Sequence, residues 1–113
     1  MNERGVEALV VAAIKGVTQV FGSYGGMNNS ACAVGVLHAA LGHHVFEREP
    51  HEVAEAFGLT WCDSANNPTK PCEGTRCPEC GISYCGYHTI VHLNDNHRAD
   101  FITIARKLGP DAA

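Results

Sequence analysis

The densest group of side chains that can do chemistry lies in the segment CEGTRCPECGISYCGYH, residues 72–88. Its four cysteines and its histidine can bind a metal ion, through sulfur or through an imidazole nitrogen. Two residues separate Cys77 from Cys80, so one tight turn can bring both thiolates to a single ion. Gly81 follows directly, and a glycine lets the backbone turn back sharply. The spacing predicts a metal site with Cys77 and Cys80 as its first two ligands.

Three further residues are candidates for the remaining ligands of this site. Cys85 and His88 repeat the two-residue spacing, and Cys72 offers another thiolate. Structural zinc is bound tetrahedrally by sets such as four cysteines or three cysteines and a histidine. Cys77, Cys80 and Cys85 belong to both arrangements, and His88 and Cys72 are alternatives for the fourth position. Because four protein ligands leave no place for water on zinc, the site is expected to be structural.

Disulfide bonds are the main alternative to a metal. Five of the six cysteines lie between Cys62 and Cys85, which is too dense a group to be explained as ordinary buried thiols. In a reducing compartment, clustered cysteines favour a metal over disulfides. An iron–sulfur cluster fits less well, because the spacing matches no ferredoxin pattern. Zinc is therefore the expected cofactor.

A second arrangement with chemical potential lies apart from the cluster. Cys32 is expected in the first turn of a helix, where the helix dipole lowers the pKa of a thiol. His92 and Asn94 follow later, which gives the cysteine, histidine, asparagine order of papain-like hydrolases. However, Cys32 stands among alanines and valines, as buried and unreactive thiols do. We expect Cys32 to be packed, and a cysteine hydrolase using these three residues is the alternative.

Composition narrows the class of protein. The chain has 113 residues, 45% hydrophobic and 18% charged, which is an ordinary balance for one globular domain. Its net charge is −4, and no basic stripe of the kind found in nucleic-acid-binding proteins is visible, although Lys70 and Arg76 lie near the cysteines. The sequence has no run of about eighteen uncharged apolar residues, so it predicts no membrane span. We expect a cytoplasmic protein without a membrane partner.

Three helices are predicted before the cysteine-rich segment. Apolar residues at helical spacing predict a first helix over residues 3–21. A second helix is predicted over residues 31–41, with Ser30 as its N-cap, and its small side chains place it at the centre of the core. A short third helix is expected to begin at Pro50 and to stop at Gly58.

A strand and a helix are predicted at the end of the chain. The sequence YHTIVHL, residues 87–93, is rich in β-branched and aromatic residues and is typical of a strand. Residues 59–61 are its candidate partner. The last helix is predicted over residues 97–108. Its candidate caps are Asn94, Asp95 and Asn96.

Together these elements predict one α+β domain over residues 1–113, with three to four helices packed on a short β-sheet. Residues 61–88 form a cysteine-rich excursion with no helical or strand period of its own. A loop of that length inside a compact domain needs a stabilising cause, and a bound zinc ion would supply it.

Two segments resemble a family of small uncharacterised domains from bacteria and their phages. ACAVGVLHAALG matches the family's Cys-Ala-small-Gly helix, and IVHLNDNHRADFITIARKL matches its closing strand, Asn-Asp pair and helix. The resemblance implies this fold and no established activity. It leaves residues 61–84 as an insertion. The family pattern has no histidine at position 92, which weakens His92 as a catalytic base.

The expected function is that of a small zinc-binding accessory protein that acts by binding another protein. The cysteine-rich excursion would be the surface it presents, because binding residues concentrate on loops held by a scaffold. The alternative is the cysteine hydrolase using Cys32 and His92. Nucleic-acid binding through the zinc loop is a second alternative, with the net charge against it.

Overall fold

The computed structural model describes residues 1–21, 30–42, 50–60 and 75–110, without the side chains of Pro50, His51 and Thr75. These residues form an α+β fold of five helices and four very short strands, which confirms the predicted class. The helices are α1 (Glu3–Ile14), α2 (Ala33–Ala40), α3 (Pro50–Ala56), α4 (Gly86–Asp95) and α5 (Phe101–Leu108). The strands are β1 (Thr18–Gln19), β2 (Ser30–Ala31), β3 (Thr75–Arg76) and β4 (Ser83–Tyr84).

The strands form two separate ladders. β1 and β2 are parallel, with Thr18 opposite Ser30. β3 and β4 are antiparallel, with Arg76 opposite Ser83. Since each strand is only two residues long, these ladders join neighbouring parts of the chain and do not form a layer beneath the helices.

The core is a cluster of apolar side chains from all five helices, with α2 at its centre as predicted. Every residue of α2 from Ala33 to His38 is buried. α2 packs against both α1 and α4, and α1 also packs against α5. The largest fully buried apolar side chains come from five elements or their ends: Leu9, Leu37, Phe57, Ile90, Leu93 and Ile104.

The first helix is shorter than predicted because a glycine ends it. Gly16 has a φ of 77°, in the left-handed region that favours glycine. Its N–H donates to the carbonyl of Ala13, and the N–H of Val17 donates to that of Ala12. This is a Schellman motif, which satisfies the last carbonyls of a helix. The chain then enters β1, so residues 15–21 do not continue α1.

The cap of α2 also differs from the expectation. Ser30 belongs to β2, and Cys32 is the N-cap: its Sγ accepts a hydrogen bond from the N–H of Gly35 at 3.3 Å. Thus the cysteine itself occupies the position that we had expected a serine hydroxyl to fill. The third helix begins at Pro50, as predicted, and ends at Ala56, two residues before Gly58 with its φ of 68°.

The predicted strand over residues 87–93 is wrong, because this segment is helix α4. Eight of the ten residues of α4 are buried, so β-branched and aromatic side chains reflect burial on most sides and not a pleated strand. Thr60, from the proposed partner strand over residues 59–61, contacts the start of α4 instead; residue 61 lies outside the described residues. The N–H of Gly86 donates to Thr60 Oγ1 at 2.6 Å, and the N–H of Tyr87 donates to the carbonyl of Thr60.

The last helix begins four residues later than predicted. Asp100 is its N-cap, with Oδ1 accepting from the N–H of Thr103 at 2.7 Å. None of the three predicted caps has this role, because they complete and follow α4. Between the two helices the chain reverses at Arg98, whose φ of 49° is left-handed. The preceding residue, His97, stays close to the end of α4, because its N–H donates to the carbonyl of His92 at 3.4 Å.

Candidate metal centre

The first half of the site is the cysteine hairpin, by which we mean residues 75–84: β3, the turn and β4. Two hydrogen bonds close the turn: the N–H of Cys77 donates to the carbonyl of Ile82 at 2.9 Å, and the N–H of Gly81 donates to the carbonyl of Cys77 at 2.8 Å. Gly81 has a φ of 78°. The glycine after the second cysteine thus permits the sharp turn, as the sequence predicted. Cys77 is buried beneath the turn, and Cys80 is exposed on it.

The second half of the site comes from the end of α4. Cys85 caps the start of this helix, where its Sγ accepts from the N–H of His88 at 3.4 Å. His92 lies in the last turn, and its ring packs 4.8 Å from that of Tyr84 in the hairpin. His97 follows the helix end, and the rings of His92 and His97 meet edge to face at 4.6 Å between centroids.

These two halves bring four metal-binding side chains together. One ligand atom from each of Cys77, Cys80, His92 and His97 lies within 4.8 Å of all the others. The Nε2 atom of His92 lies 3.3 Å from Cys80 Sγ and 3.0 Å from Nε2 of His97. The four residues lie close enough to hold a metal ion.

The two distances at Nε2 of His92 are close to those of tetrahedral coordination. Bonds of about 2.0–2.1 Å to nitrogen and about 2.3 Å to sulfur place the ligand atoms of zinc roughly 3.3–3.8 Å apart. The two distances at Nε2 of His92 differ from these values by only a few tenths of an ångström. Two imidazole nitrogens that face each other need a proton or a cation between them, since two lone pairs repel. A cation satisfies both nitrogens and both sulfurs at once.

The charge state of His92 suits coordination. Burial lowers the pKa of His92 below its ordinary value, and the neighbouring His97 lowers it further. A neutral imidazole is the form that binds a metal ion. Therefore His92 is in its metal-binding form at neutral pH without the need to lose a proton.

A charged contact also joins the hairpin to the last helix. The carboxylate of Glu79, between the two cysteines, pairs with the ammonium of Lys107 on α5. The hydrogen bond and charge of Lys107 hold the pKa of Glu79 below its ordinary value. Both side chains are exposed, so the pair orients the turn and contributes little free energy.

Two of the five predicted ligands, Cys77 and Cys80, are in the group. Cys85 and His88 are not members of it: Cys85 is fully buried as a helix cap, and His88 is buried with its ring near that of Tyr87. Cys72 lies outside the described residues, as does Cys62. All four described cysteines, at positions 32, 77, 80 and 85, are free thiols.

The two histidines were not among the candidate ligands predicted from the sequence, although the sequence carries a signal for them. Eleven residues separate Cys80 from His92, and four separate His92 from His97. A known zinc spacing begins with two cysteines that have two residues between them. After roughly twelve residues, two histidines follow with three to five residues between them. The structure adds the matching order of a β-hairpin with the cysteines and a helix with a histidine, as in ββα zinc fingers. Treating residues 87–93 as a strand concealed this pattern.

The candidate hydrolase residues have other contacts. Cys32 is buried at the start of α2, and desolvation raises the pKa of its thiol despite the hydrogen bond from Gly35. The described hydrogen-bond contacts of the His92 ring are with Cys80 and His97. Asn94 is a structural link, because its Oδ1 accepts from the N–H of Ala33 at 3.0 Å. These contacts give the hydrolase alternative no support.

Comparison with models of known protein families found no match, and searches among curated proteins and solved structures found no similar protein either. The resemblance to small bacterial and phage domains stays a prediction. No helix within residues 1–21, 30–42, 50–60 and 75–110 is long and apolar enough to cross a membrane.

Proposed function

We propose that the protein binds one zinc ion through Cys77, Cys80, His92 and His97, and that this ion holds the cysteine hairpin against α4. The observation that carries the proposal is the convergence of two sulfurs and two Nε2 atoms within 4.8 Å. Two thiolates and two imidazoles in a tetrahedral arrangement are a ligand set typical of zinc. The predicted cofactor is kept, with His92 and His97 in place of Cys85 and His88.

The role of the ion is structural. Four protein ligands fill a tetrahedral site and leave no position for a water molecule or a substrate, as a catalytic zinc needs. The hairpin also has few other means of support, since Cys77 and Tyr84 are the buried residues among positions 76–84. A metal ion supplies the stabilisation that apolar burial does not.

Nucleic-acid binding by this unit is disfavoured by the position of its helix. In ββα zinc fingers, the helix enters the major groove and its first residues contact bases. Here the corresponding residues at the start of α4, from Gly86 to Ile90, are buried in the core. The net charge of −4 would also oppose binding to phosphates.

We propose that the hairpin, once held by zinc, presents its outer face to another protein. Pro78 and Ile82 are exposed residues of the hairpin, and the Ile82 side chain is 42% exposed. An apolar side chain on a rigid turn loses little conformational freedom on binding, which favours recognition of a partner.

The zinc proposal is tested by elemental analysis of protein purified without added metal. We expect about one zinc ion per chain, and tetrahedral cobalt(II) spectra with thiolate charge-transfer bands after metal exchange. His97→Gln, at an exposed position, is expected to lose the bound ion while the chain stays folded. Cys80→Ser should do the same.

Cys85→Ser is the matched control, because serine is itself a good helix cap and replaces the capping sulfur at little cost. Zinc retained in Cys85→Ser and lost in His97→Gln supports the proposed ligands. The reverse result would restore the ligand set predicted from the spacing alone. If elemental analysis finds no metal in the purified wild-type protein, the zinc site is ruled out.

The partner proposal needs a second comparison. Ile82→Ser removes the exposed apolar side chain of the hairpin, and Ile14→Ser removes one that is 77% exposed at the end of α1. A protein partner captured by the wild type should be lost with Ile82→Ser and kept with Ile14→Ser. If both variants bind equally well, the hairpin is not the binding surface.

A further inference from the structure

The two sulfurs of the candidate zinc site differ sharply in their access to solvent. Cys77 is 2% exposed, beneath the hairpin, whereas Cys80 is an exposed residue on the turn. Oxidants that react with cysteine choose thiolates that they can reach. Zinc keeps both sulfurs in the thiolate form, so that access decides which of them reacts first.

We propose that Cys80 is a site of oxidation by peroxides, and that Cys77 then forms a disulfide with it and zinc is released. This inference rests on the proposed function, because it concerns the same site in its zinc-bound form. The site would then react with peroxides and release its zinc ion, in addition to holding the hairpin in place.

The reaction balances in two steps. The Cys80 thiolate attacks one oxygen of hydrogen peroxide, the O–O bond breaks, and hydroxide leaves, so that Cys80 becomes a sulfenic acid. The Cys77 thiolate then attacks the Cys80 sulfur, the S–S bond forms, the S–O bond breaks, and a second hydroxide leaves. The two thiolates lose two electrons, peroxide gains them, and two protons from the buffer acid convert both hydroxides to water. Zinc leaves as the hydrated ion, since both of its sulfur ligands are gone.

The geometry allows the second step. The two sulfurs belong to one turn and lie within 4.8 Å of each other, and a disulfide requires about 2.05 Å. The other described thiols are poorly placed to compete. Cys85 and Cys32 are 0% and 6% exposed, and each sulfur already accepts a backbone N–H at the start of a helix.

Release of zinc would separate the hairpin from α4. The disulfide closes the turn on itself, while His92 and His97 remain on the helical side without a metal bond to it. The described contacts that would still join the two parts include the exposed pair of Glu79 and Lys107, the packing of Tyr84 against His92 and the burial of Cys77 in the core cluster. The outer face of the hairpin would therefore lose its fixed orientation.

The test uses the zinc-loaded full chain treated with hydrogen peroxide in slight excess. A chromogenic chelator reports released zinc, and mass spectrometry of the digested protein locates disulfides. We expect about one zinc ion released per chain, a Cys77–Cys80 disulfide, and full recovery after a dithiol reductant and zinc are added. Cys85→Ser and the double variant Cys62→Ser/Cys72→Ser should respond as the wild type does.

Two results would overturn the inference while leaving the zinc site intact. Zinc retained at peroxide concentrations that fully oxidise the thiols of the unfolded chain would show that Cys80 is protected. Zinc released with a disulfide other than Cys77–Cys80, or without any disulfide, would show that the assigned pair is wrong. The zinc content is measured before peroxide is added. If no zinc is present at that stage, the proposed zinc site itself is wrong, and the inference about its oxidation is wrong as well.

Discussion

The helical core and the cysteine hairpin are stabilised in different ways. In the core, side chains such as Leu9, Leu37 and Ile104 are completely buried, and each contacts neighbours from other helices. In the hairpin, most side chains between Arg76 and Ser83 are exposed. The core is stabilised by apolar burial, whereas the hairpin depends on a few hydrogen bonds and on whatever Cys77 and Cys80 bind together with His92 and His97. Small domains commonly combine the two, because their cores are thin.

α4 belongs to both regions. Its Ile90 and Leu93 are fully buried among the helices, and His92, between them, faces the hairpin. Packing of this helix therefore positions His92, one of the four candidate ligands, independently of any ion. Loss of the ion should release the hairpin and leave α4 in place.

Removal of zinc should produce the largest difference between the two regions. Under a strong chelator, we expect trypsin to cleave after Arg76, in β3, at least about tenfold faster, because the hairpin opens locally. The helical circular dichroism should change little. Cys80→Ser should reproduce both results without a chelator. Loss of most helical signal would contradict this separation and would make zinc part of the core.

Leu37→Ala should destabilise the helical core and leave the zinc site of the folded protein unchanged. Leu37 is fully buried at the centre of the core, so its truncation should lower the free energy of unfolding by about 2–5 kcal/mol. Zinc stoichiometry in the folded variant should remain that of the wild type. Urea denaturation measures the first quantity. Ile14→Ala, at a largely exposed position, is the control and should change stability by less than about 0.5 kcal/mol.

Asn94→Ala tests the link between α4 and the rest of the core. Asn94 is 1% exposed; its Oδ1 accepts from Ala33 and Gln19, and its Nδ2 donates to the carbonyl of Val20. Alanine leaves these buried groups without their partner, which should cost about 1–3 kcal/mol. The measurement is again urea denaturation, with the exposed Asn96→Ala as control. An unchanged stability would mean that water replaces the amide.

Asp100→Ala should have the smallest effect, a loss of about 1 kcal/mol at neutral pH from the removal of the α5 cap. The hydrogen bonds from Thr103 hold the pKa of Asp100 below its ordinary value of 3.8. A carboxyl whose pKa is lowered by folding stabilises the fold above the unfolded-state pKa, and this stabilisation is lost as the pH falls through the folded-state pKa. The difference in thermal stability between wild type and Asp100→Ala should therefore be at its maximum at pH 6 and become smaller below about pH 4.

Asp100→Asn is the matched control, because asparagine is also a good N-cap and does not titrate. It should retain α5 stability at neutral pH, and its stability relative to Asp100→Ala should not vary with acid in this way. A constant difference between wild type and Asp100→Ala down to pH 2 would contradict capping by the carboxylate.

Much of the helical core could be predicted from the sequence. The periodic apolar residues of α1, the small residues of α2 and the Pro50 start of α3 are local signals, and each gave a helix in the expected place. The boundaries were less accurate, since caps depend on a single contact: Cys32 and Asp100 took the positions that Ser30 and Asn94, Asp95 or Asn96 were expected to fill. The Cys77–Cys80 turn with Gly81 was also predictable, because two residues and a glycine specify its geometry.

The sequence by itself determined the central position of α2 and the turn that brings Cys77 and Cys80 together, because both follow from residues close together in the chain. Only the tertiary structure decided the other half of the site. Residues 87–93 have side chains that suit a buried strand or a buried helix, and burial on most sides of α4 selects the helix. That choice places His92 toward the hairpin, and contacts of His97 with His92, through its N–H and its Nε2, place His97 beside it. Ligands contributed by separate elements depend on how those elements pack, and spacing along the chain fixes their proximity only once the packing is known.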